Sequence, residues 1–457
     1  MHKTNLVHQS GPIVIALNGV MANLNEDGKD AFLQDQGIIS SARVSTGSEK
    51  KKEGGEGLVG ALYRDRHETP FEGGSMFRFF VECPISVAQP FFQLPYVHNE
   101  FSGRYSVIDG EFYTPEWAKE NPEILKIFNE AETDSREIYK SFLDMGIAKE
   151  QARLALLFRF NTKFYWTVSL RHLLELMSLE NHENAPDEFW RARDEIIPTI
   201  IKEFSPIAYA KMEEYKRFIP TAWHKEIIRH PGKFYENEIC KDYERYACID
   251  NIGDVYLLEH SKFNPEFFRL AVQTKVNPTR GFAHAKMTFF IKEPIFVHRQ
   301  WVRHRYGAWT EIPPNFDVIT TDKDFYMPEY FRIQVGKSMS YIYEDAPEET
   351  NLRAQLMLQE LINRSCERYW ILRKKFGISP GNAAQNLPYT FRIHSIWTAN
   401  LESLMNYFSL RCDTHAQWET RRFAEEIYKW FKQLYPIPHD IFIKHLNFGK
   451  NEDLFEK

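Results

Sequence analysis

The chain repeats itself, and that repeat constrains its architecture more than any other feature of the sequence. Residues 76–94 read MFRFFVECPISVAQPFFQL and residues 287–304 read MTFFIKEPIFVHRQWVRH, with Pro84 and Pro294 as anchors 210 positions apart. Downstream, EFYTPEW at 111–117 is echoed by DFYMPEY at 324–330, an offset of 213. TKFYWTVSLRHLLELMSL at 162–179 is echoed by FRIHSIWTANLESLMNYFSL at 391–410, with Trp166 and Trp397 offset by 231. Three landmarks in the same order, with offsets that drift only by loop insertions, describe a tandem duplication of one module of roughly 210–230 residues. Length alone, 457 residues, points to about three ordinary domains at roughly 150 residues each. The repeat replaces that estimate with a first module at 1–214, a connector at 215–246 that has no counterpart, and a second module at 247–457.

Within each module a strand leads to helices, a strand that begins as a β-like alternation and a helix carry the first landmark, and an irregular segment carries FY-x-PE. Long amphipathic helices follow at 124–145 and 352–376, where apolar residues recur at three- and four-residue steps. The polar tract GSEKKKEGGEG at 47–57 reads as a surface loop. Hydrophobic residues at 43% and charged residues at 26% allow a sizeable core, and the 15% aromatic content is chiefly bulky filler for it. A net charge of −6 argues against non-specific wrapping of nucleic acid and leaves a local anion site open. No apolar run approaches the roughly 18 residues that span a bilayer, and the N-terminus lacks a signal core, so a soluble cytoplasmic protein with no membrane partner is expected. The five cysteines lack CxxC spacing, which fits reduced thiols and predicts no metal site.

The chemistry is concentrated in HRQWVRHRYGAWTE at 298–311, where three arginines and two histidines fall within eight residues. Such a cluster calls for an anion or a carboxylate network to neutralise it. At the matching place the first copy has lost the cluster and carries NEFSGRYS at 99–106, where Ser102, Gly103 and Arg104 offer a hydroxyl, backbone N–H groups and a guanidinium to one phosphate. The second copy has TEIPPNF at 310–316, with two prolines and no arginine. Each copy has kept what the other has lost.

RQWVRHR, NEFSGRYS followed by EFYTPEW, RHETPFE at 66–72 and LRCDTHAQWE at 410–419 together closely resemble the flavin-dependent thymidylate synthases, which make dTMP without a catalytic cysteine. The resemblance covers most of both modules and implies an α+β fold: two tandem copies of a small mixed or antiparallel sheet packed with long helices, forming a pseudo-dimer within one chain. The family motif RHR-x7-S is nowhere intact here; its first half is at Arg303–Arg305 and its second at Ser102. Family active sites lie at subunit interfaces, so the resemblance implies a composite site between the modules. From the second module it assigns Gln300, Arg303 and Arg411 to the substrate, and from the first Glu100, Ser102, Gly103, Arg104 and Arg153. At the position of Arg153 the second copy has Ala384 or Gln385, and at that of Arg411 the first has Glu180.

For the flavin the resemblance assigns His67, Thr69 and Glu72 in the first module and Arg303, His304, Arg305, Asn400 and Asn406 in the second. His67 reads equally as a core histidine, and His415 as an anchor of its own helix. Arg104 and Arg153 are expected to clamp the nucleotide phosphate, Arg411 to act in catalysis at the pyrimidine N3–O2 edge, and Ser102 to hydrogen-bond the nucleotide, since no GxSxG elbow accompanies it. The expected activity is methylation of dUMP to dTMP with FAD, methylenetetrahydrofolate and NADPH, one live site per chain, in a dimer of two-module chains. A flavin-dependent pyrimidine deoxynucleotide hydroxymethylase and a non-catalytic flavin- or nucleotide-binding derivative stay open as alternatives.

Overall fold

β1 (Leu6–Ser10), β2 (Ile13–Met21), β3 (Met76–Pro84), β4 (Val97–Glu100) and β5 (Asn161–Ser169) form an antiparallel sheet in the order β1-β2-β3-β5-β4. The later strands are β6 (Arg245–Ile249), β7 (Gly253–His260), β8 (Lys286–Pro294), β9 (Gly307–Ile312), β10 (Arg332–Val335), β11 (Ile342–Asp345) and β12 (Arg392–Asn400). Of these, β6-β7-β8-β12-β9 make a second sheet of the same order, and β10 and β11 a separate hairpin. The computed structural model describes residues 6–10, 13–21, 34–44, 55–93, 97–104, 106–177, 179, 181–215, 243–274, 278–304, 306–312, 316, 318–335 and 342–446. Most of the connector and of the 47–57 tract, together with Arg305 and Glu180, lie outside these residues. β6 opens at Arg245, two residues ahead of the boundary expected at 247.

The duplication extends to register. β3 pairs β5 from Met76↔Ser169 to Pro84↔Asn161, and β8 pairs β12 from Lys286↔Asn400 to Pro294↔Arg392. Even an irregularity is repeated: β2 bulges between Leu17 and Gly19 beside Phe79, and β7 between Leu257 and Glu259 beside Phe289. β3 shows the expected alternation, burying Phe77, Phe79, Val81 and Cys83. β8 departs from it and is buried at every position from Met287 to Ile291, because Tyr256 and His394 cover Phe290 on the other face.

The helix Pro122–Asp144 begins at Asn121, whose side chain accepts from the N–H groups of Glu123 and Ile124. It buries Ile124, Phe128, Ala131, Ser135, Tyr139 and Phe142, one stripe at helical spacing. Its counterpart, Glu348–Lys374, packs against it, and Arg364 and Arg368 of the second both reach Asp134 of the first, at 2.8 and 2.5 Å.

The modules meet on a pseudo-two-fold axis. Leu157 faces Pro388 in an isolated bridge; Phe158 N donates to Leu387 O at 3.0 Å, and Tyr389 N donates to Leu156 O at 2.8 Å. The two hydrogen bonds join equivalent positions in opposite senses, as a dyad requires. Around them one apolar core runs through both modules, joining Leu154, Leu156 and Leu157 to Leu387, Tyr389 and Phe391. A second core, including Phe79, Phe91, Trp166 and Phe189, belongs to the first module alone. Among the described residues no helix is long and apolar enough to cross a membrane.

Candidate active site

A cavity of about 260 Å³ opens where the two modules meet. The helix Ile295–Trp301 forms one wall; it is buried at every residue, so its polar side chains are spent inside the protein. Arg299 crosses to the first module, where it pairs with Glu100 and donates to Gln89 Oε1 at 2.9 Å. Glu100 also accepts from Thr162 Oγ1 at 2.7 Å and lies 3.8 Å from Arg303. Burial alone would raise the Glu100 carboxyl, but the Arg299 charge, the hydrogen bonds from Thr162 and Arg299, and the Arg303 charge outweigh it and hold it below the usual carboxylate range.

The opposite wall is the turn after β4. Ser102 Oγ accepts from the Arg104 N–H at 3.4 Å, and Gly103 is tightly enclosed: a Cβ there would come within 2.4 Å of Ile108 Cδ1. Arg104 donates to buried Glu150 at 2.8 Å and to the backbone carbonyl of His415, in the second module, at 2.9 Å. Burial, partly offset by the charge of Arg104, raises the Glu150 carboxyl. Arg153 donates to Gln417 Oε1 at 2.8 Å and to the Glu150 carbonyl at 3.2 Å, with its guanidinium 5.7 Å from the Tyr389 ring centre. Burial lowers its pKa, and among the described residues it forms no ion pair, so this desolvated cation gains strongly from an anion.

Gln417 Oε1 also accepts from Gln300 Nε2 at 2.7 Å, so a single oxygen ties one cavity residue of each module. The Gln300 Oε1 atom is buried with no partner among the described residues, leaving an acceptor at the cavity wall. Arg411 donates to His304 Nε2 at 2.9 Å and to the Gln300 carbonyl at 2.8 Å. Burial, then the Arg411 charge, pushes His304 down to about 3. Its ring is therefore neutral, with Nε2 the acceptor and the proton on Nδ1.

All eight residues assigned to the substrate line this one cavity: Glu100, Ser102, Gly103, Arg104 and Arg153 from the first module, Gln300, Arg303 and Arg411 from the second. The residues assigned to the flavin are not gathered in the same way. His67, Thr69 and Glu72 are exposed on the first module and are not part of the lining. Asn400 caps the helix Leu401–Arg411, accepting from Ser403 N at 2.9 Å, and Asn406 is exposed further along it. His304 is buried and uncharged and offers no cation to a phosphate. Arg305 lies outside the described residues. The exposed His415 ring bonds Asp413 at 2.8 Å, and only its backbone carbonyl meets the site.

Four contributors were not singled out from the sequence: Arg299, Gln417, Glu150 and Tyr389. Arg299 and Gln417 stand inside quoted motifs; Glu150 and Tyr389 carry no local signal, because their partners are distant in the chain. Among the described residues no cluster could hold a metal ion.

A family model described as thymidylate synthase complementing protein matches the chain twice, at residues 31–207 and 257–437. A flavin-dependent thymidylate synthase of Thermus thermophilus is 35% identical over 204 residues, covering 41% of this chain and 74% of that protein. That of Wolbachia pipientis is 35% identical over 207 residues, covering 41% and 72%. Among solved structures, the UMP/dUMP methylase PolB from Streptomyces cacaoi bound with 5-Br dUMP aligns with 24% identity and a TM-score of 0.39, covering 45% of this chain and 96% of that one. The two family matches together span more than half of the polypeptide, and the chain accordingly belongs to the thymidylate synthase complementing protein family, as an enzyme built from two copies of its domain in tandem.

Proposed function

We propose that the chain is a flavin-dependent thymidylate synthase that converts dUMP to dTMP at one composite cavity per chain, using FAD, methylenetetrahydrofolate and NADPH. The observation that carries this reading is the convergence of Arg104 and Arg153 from the first module with Gln300, Arg303 and Arg411 from the second around a single cavity. The names of the matched relatives support the same substrate.

Arg104 and Arg153 take the nucleotide phosphate, for which a planar guanidinium is better suited than an ammonium. Glu150 fixes Arg104, and Gln417 fixes Arg153 without neutralising it. Ser102 and the Gln300 side chain offer hydrogen-bonding groups to the nucleotide. Arg411, aimed by neutral His304 and the Gln300 carbonyl, stabilises negative charge at the pyrimidine N3–O2 edge, which makes C5 nucleophilic without an enzyme thiol. When bound, the flavin supplies the hydride that completes the methyl group.

The polar groups assigned to the flavin fit it in kind: exposed His67, Thr69, Glu72 and Asn406, with Arg303 at the cavity. His67, Thr69 and Glu72 belong to the first module and Arg303 and Asn406 to the second, and in this reading a dimer of chains completes the flavin site by bringing the first set of one chain to the second set of the other. The test is to incubate purified protein with dUMP, methylenetetrahydrofolate and NADPH and separate the products. The reading expects dTMP; hydroxymethyl-dUMP without dTMP assigns the hydroxymethylase alternative, and nucleotide binding with no turnover assigns the non-catalytic one.

A further inference from the structure

The pseudo-dyad generates a second cavity, related to the first by exchange of the modules. It has a volume of about 380 Å³ and is lined by Gln89, Phe158, Ile295, Glu311, Ala384 and Phe391, among others. These are the counterparts of Arg299, Tyr389, Ile85, Glu100, Arg153 and Phe160 of the first cavity. The duplication has thus kept part of the apolar and aromatic framework of the site and changed much of its polar content.

Three of those changes act together. Ala384 stands where the first cavity has Arg153, and Pro90 where it has Gln300, so the phosphate-facing cation and an amide are gone. Ser86 stands where the first cavity has Phe296, which vacates the volume of a ring. No Lys or Arg is among the described residues of the lining, and burial lowers the pKa of its one imidazole, His182. The acidic partner has been kept: Glu311 accepts from Gln89 Nε2 at 2.7 Å, as Glu100 accepts from Arg299 in the first cavity. The Ser86 hydroxyl is buried without a partner among the described residues. A cavity walled by Phe158, Phe189, Trp190 and Phe391, whose described lining holds the Glu311 carboxylate, itself 3.7 Å from His298 behind it, and no Lys or Arg, offers phosphate no guanidinium or ammonium and favours an uncharged ring.

We propose that this second cavity is a binding site for an uncharged pyrimidine nucleoside, the dephosphorylated counterpart of the ligand of the first. The inference rests on the reading of the first cavity as a pyrimidine nucleotide site. The two sites are joined physically, because Gln89 donates to Glu311 in one while its Oε1 accepts from Arg299 in the other.

The experiment is calorimetry on the full chain, first with dUMP alone and then with 2′-deoxyuridine added to protein saturated with dUMP. The expected result is one deoxyuridine bound per chain, lost by about tenfold or more in affinity in Ser86→Phe, which restores the ring the other copy carries. Ala384→Leu, a second way of filling the space, is expected to act in the same direction, and dUMP binding is expected to be unchanged in both. No uptake of deoxyuridine at dUMP saturation, equal uptake by both variants, or a second site that prefers dUMP overturns the inference. Absence of dUMP binding by the unmodified chain instead overturns the functional reading on which it stands.

Discussion

Gln417 carries two cavity side chains on one oxygen, Arg153 from the first module and Gln300 from the second. Gln417→Leu removes the acceptor of Arg153 Nη2, a loss of about 1–3 kcal/mol, and leaves Gln300 Nε2 with only the Phe296 carbonyl at 3.2 Å, and dUMP affinity measured by calorimetry is expected to fall by at least about tenfold. His304 supplies a prediction in pH. Its pKa in the fold is about 3 against roughly 6.5 in an unfolded chain, so the unfolded state binds the extra proton throughout that window. Stability is therefore fully present above the unfolded pKa and is lost as pH falls toward the folded one, by up to about 1.4 kcal/mol per pH unit from this residue. Denaturant unfolding across the acid range is expected to show that slope, and His304→Asn, which keeps an acceptor for Arg411 but does not titrate, to reduce it. Arg303 was legible in the sequence because its guanidinium cluster is conspicuous, and Arg104, Arg153 and Arg411 through the resemblance of their segments to the family; Arg299, inside the same cluster, was not singled out. The roles of Gln417 and His304 were not legible: a neutral amide and a neutral imidazole acquire their function only from partners more than a hundred residues away.

Elements built from local signals behave as the sequence predicts. The helix Pro122–Asp144 has its cap, its proline in the first turn and its buried stripe in consecutive view. Asn121→Ala is expected to lower the unfolding free energy by about 1 kcal/mol while leaving dUMP affinity unchanged, because the cap touches no cavity residue; a matching loss of affinity would show that the helix end is coupled to the site. The hairpin of β10 and β11 was not foreseen. It belongs to the second module yet is pinned to the first: Ala148 N donates to Arg332 O at 2.7 Å, and Arg332 N donates to Gln151 Oε1 at 2.6 Å. Its two strands are four residues each, too short for a period-2 signal to stand out. β8 was expected to alternate and is almost continuously buried, since coverage of its second face comes from neighbouring strands that local pattern does not reveal.

At the scale of the molecule, the tandem organisation was legible from three landmarks and the eight cavity residues from the resemblance, whereas the seam pairs Leu156–Tyr389 and Phe158–Leu387 followed only once the dyad was in place. Arg104 and Arg303 line the same cavity of one chain. Mixing Arg104→Ala chains with Arg303→Ala chains is therefore expected to restore no dTMP formation, since no intact pair arises; recovery on mixing would place the site between chains. The continuous core through Leu156, Leu157, Leu387 and Tyr389 makes the halves mutually dependent, and either module expressed alone is expected to aggregate, as light scattering would report. The crossed backbone bonds at Leu156–Tyr389 and Leu387–Phe158 have one further consequence. In a homodimer every substitution is made twice, so a change that improves one pocket is imposed on its twin. Covalent joining releases that constraint: each of the two pockets can acquire substitutions of its own while the shared seam stays intact, and a protein engineer could rewrite one pocket for a new guest and leave the other at work.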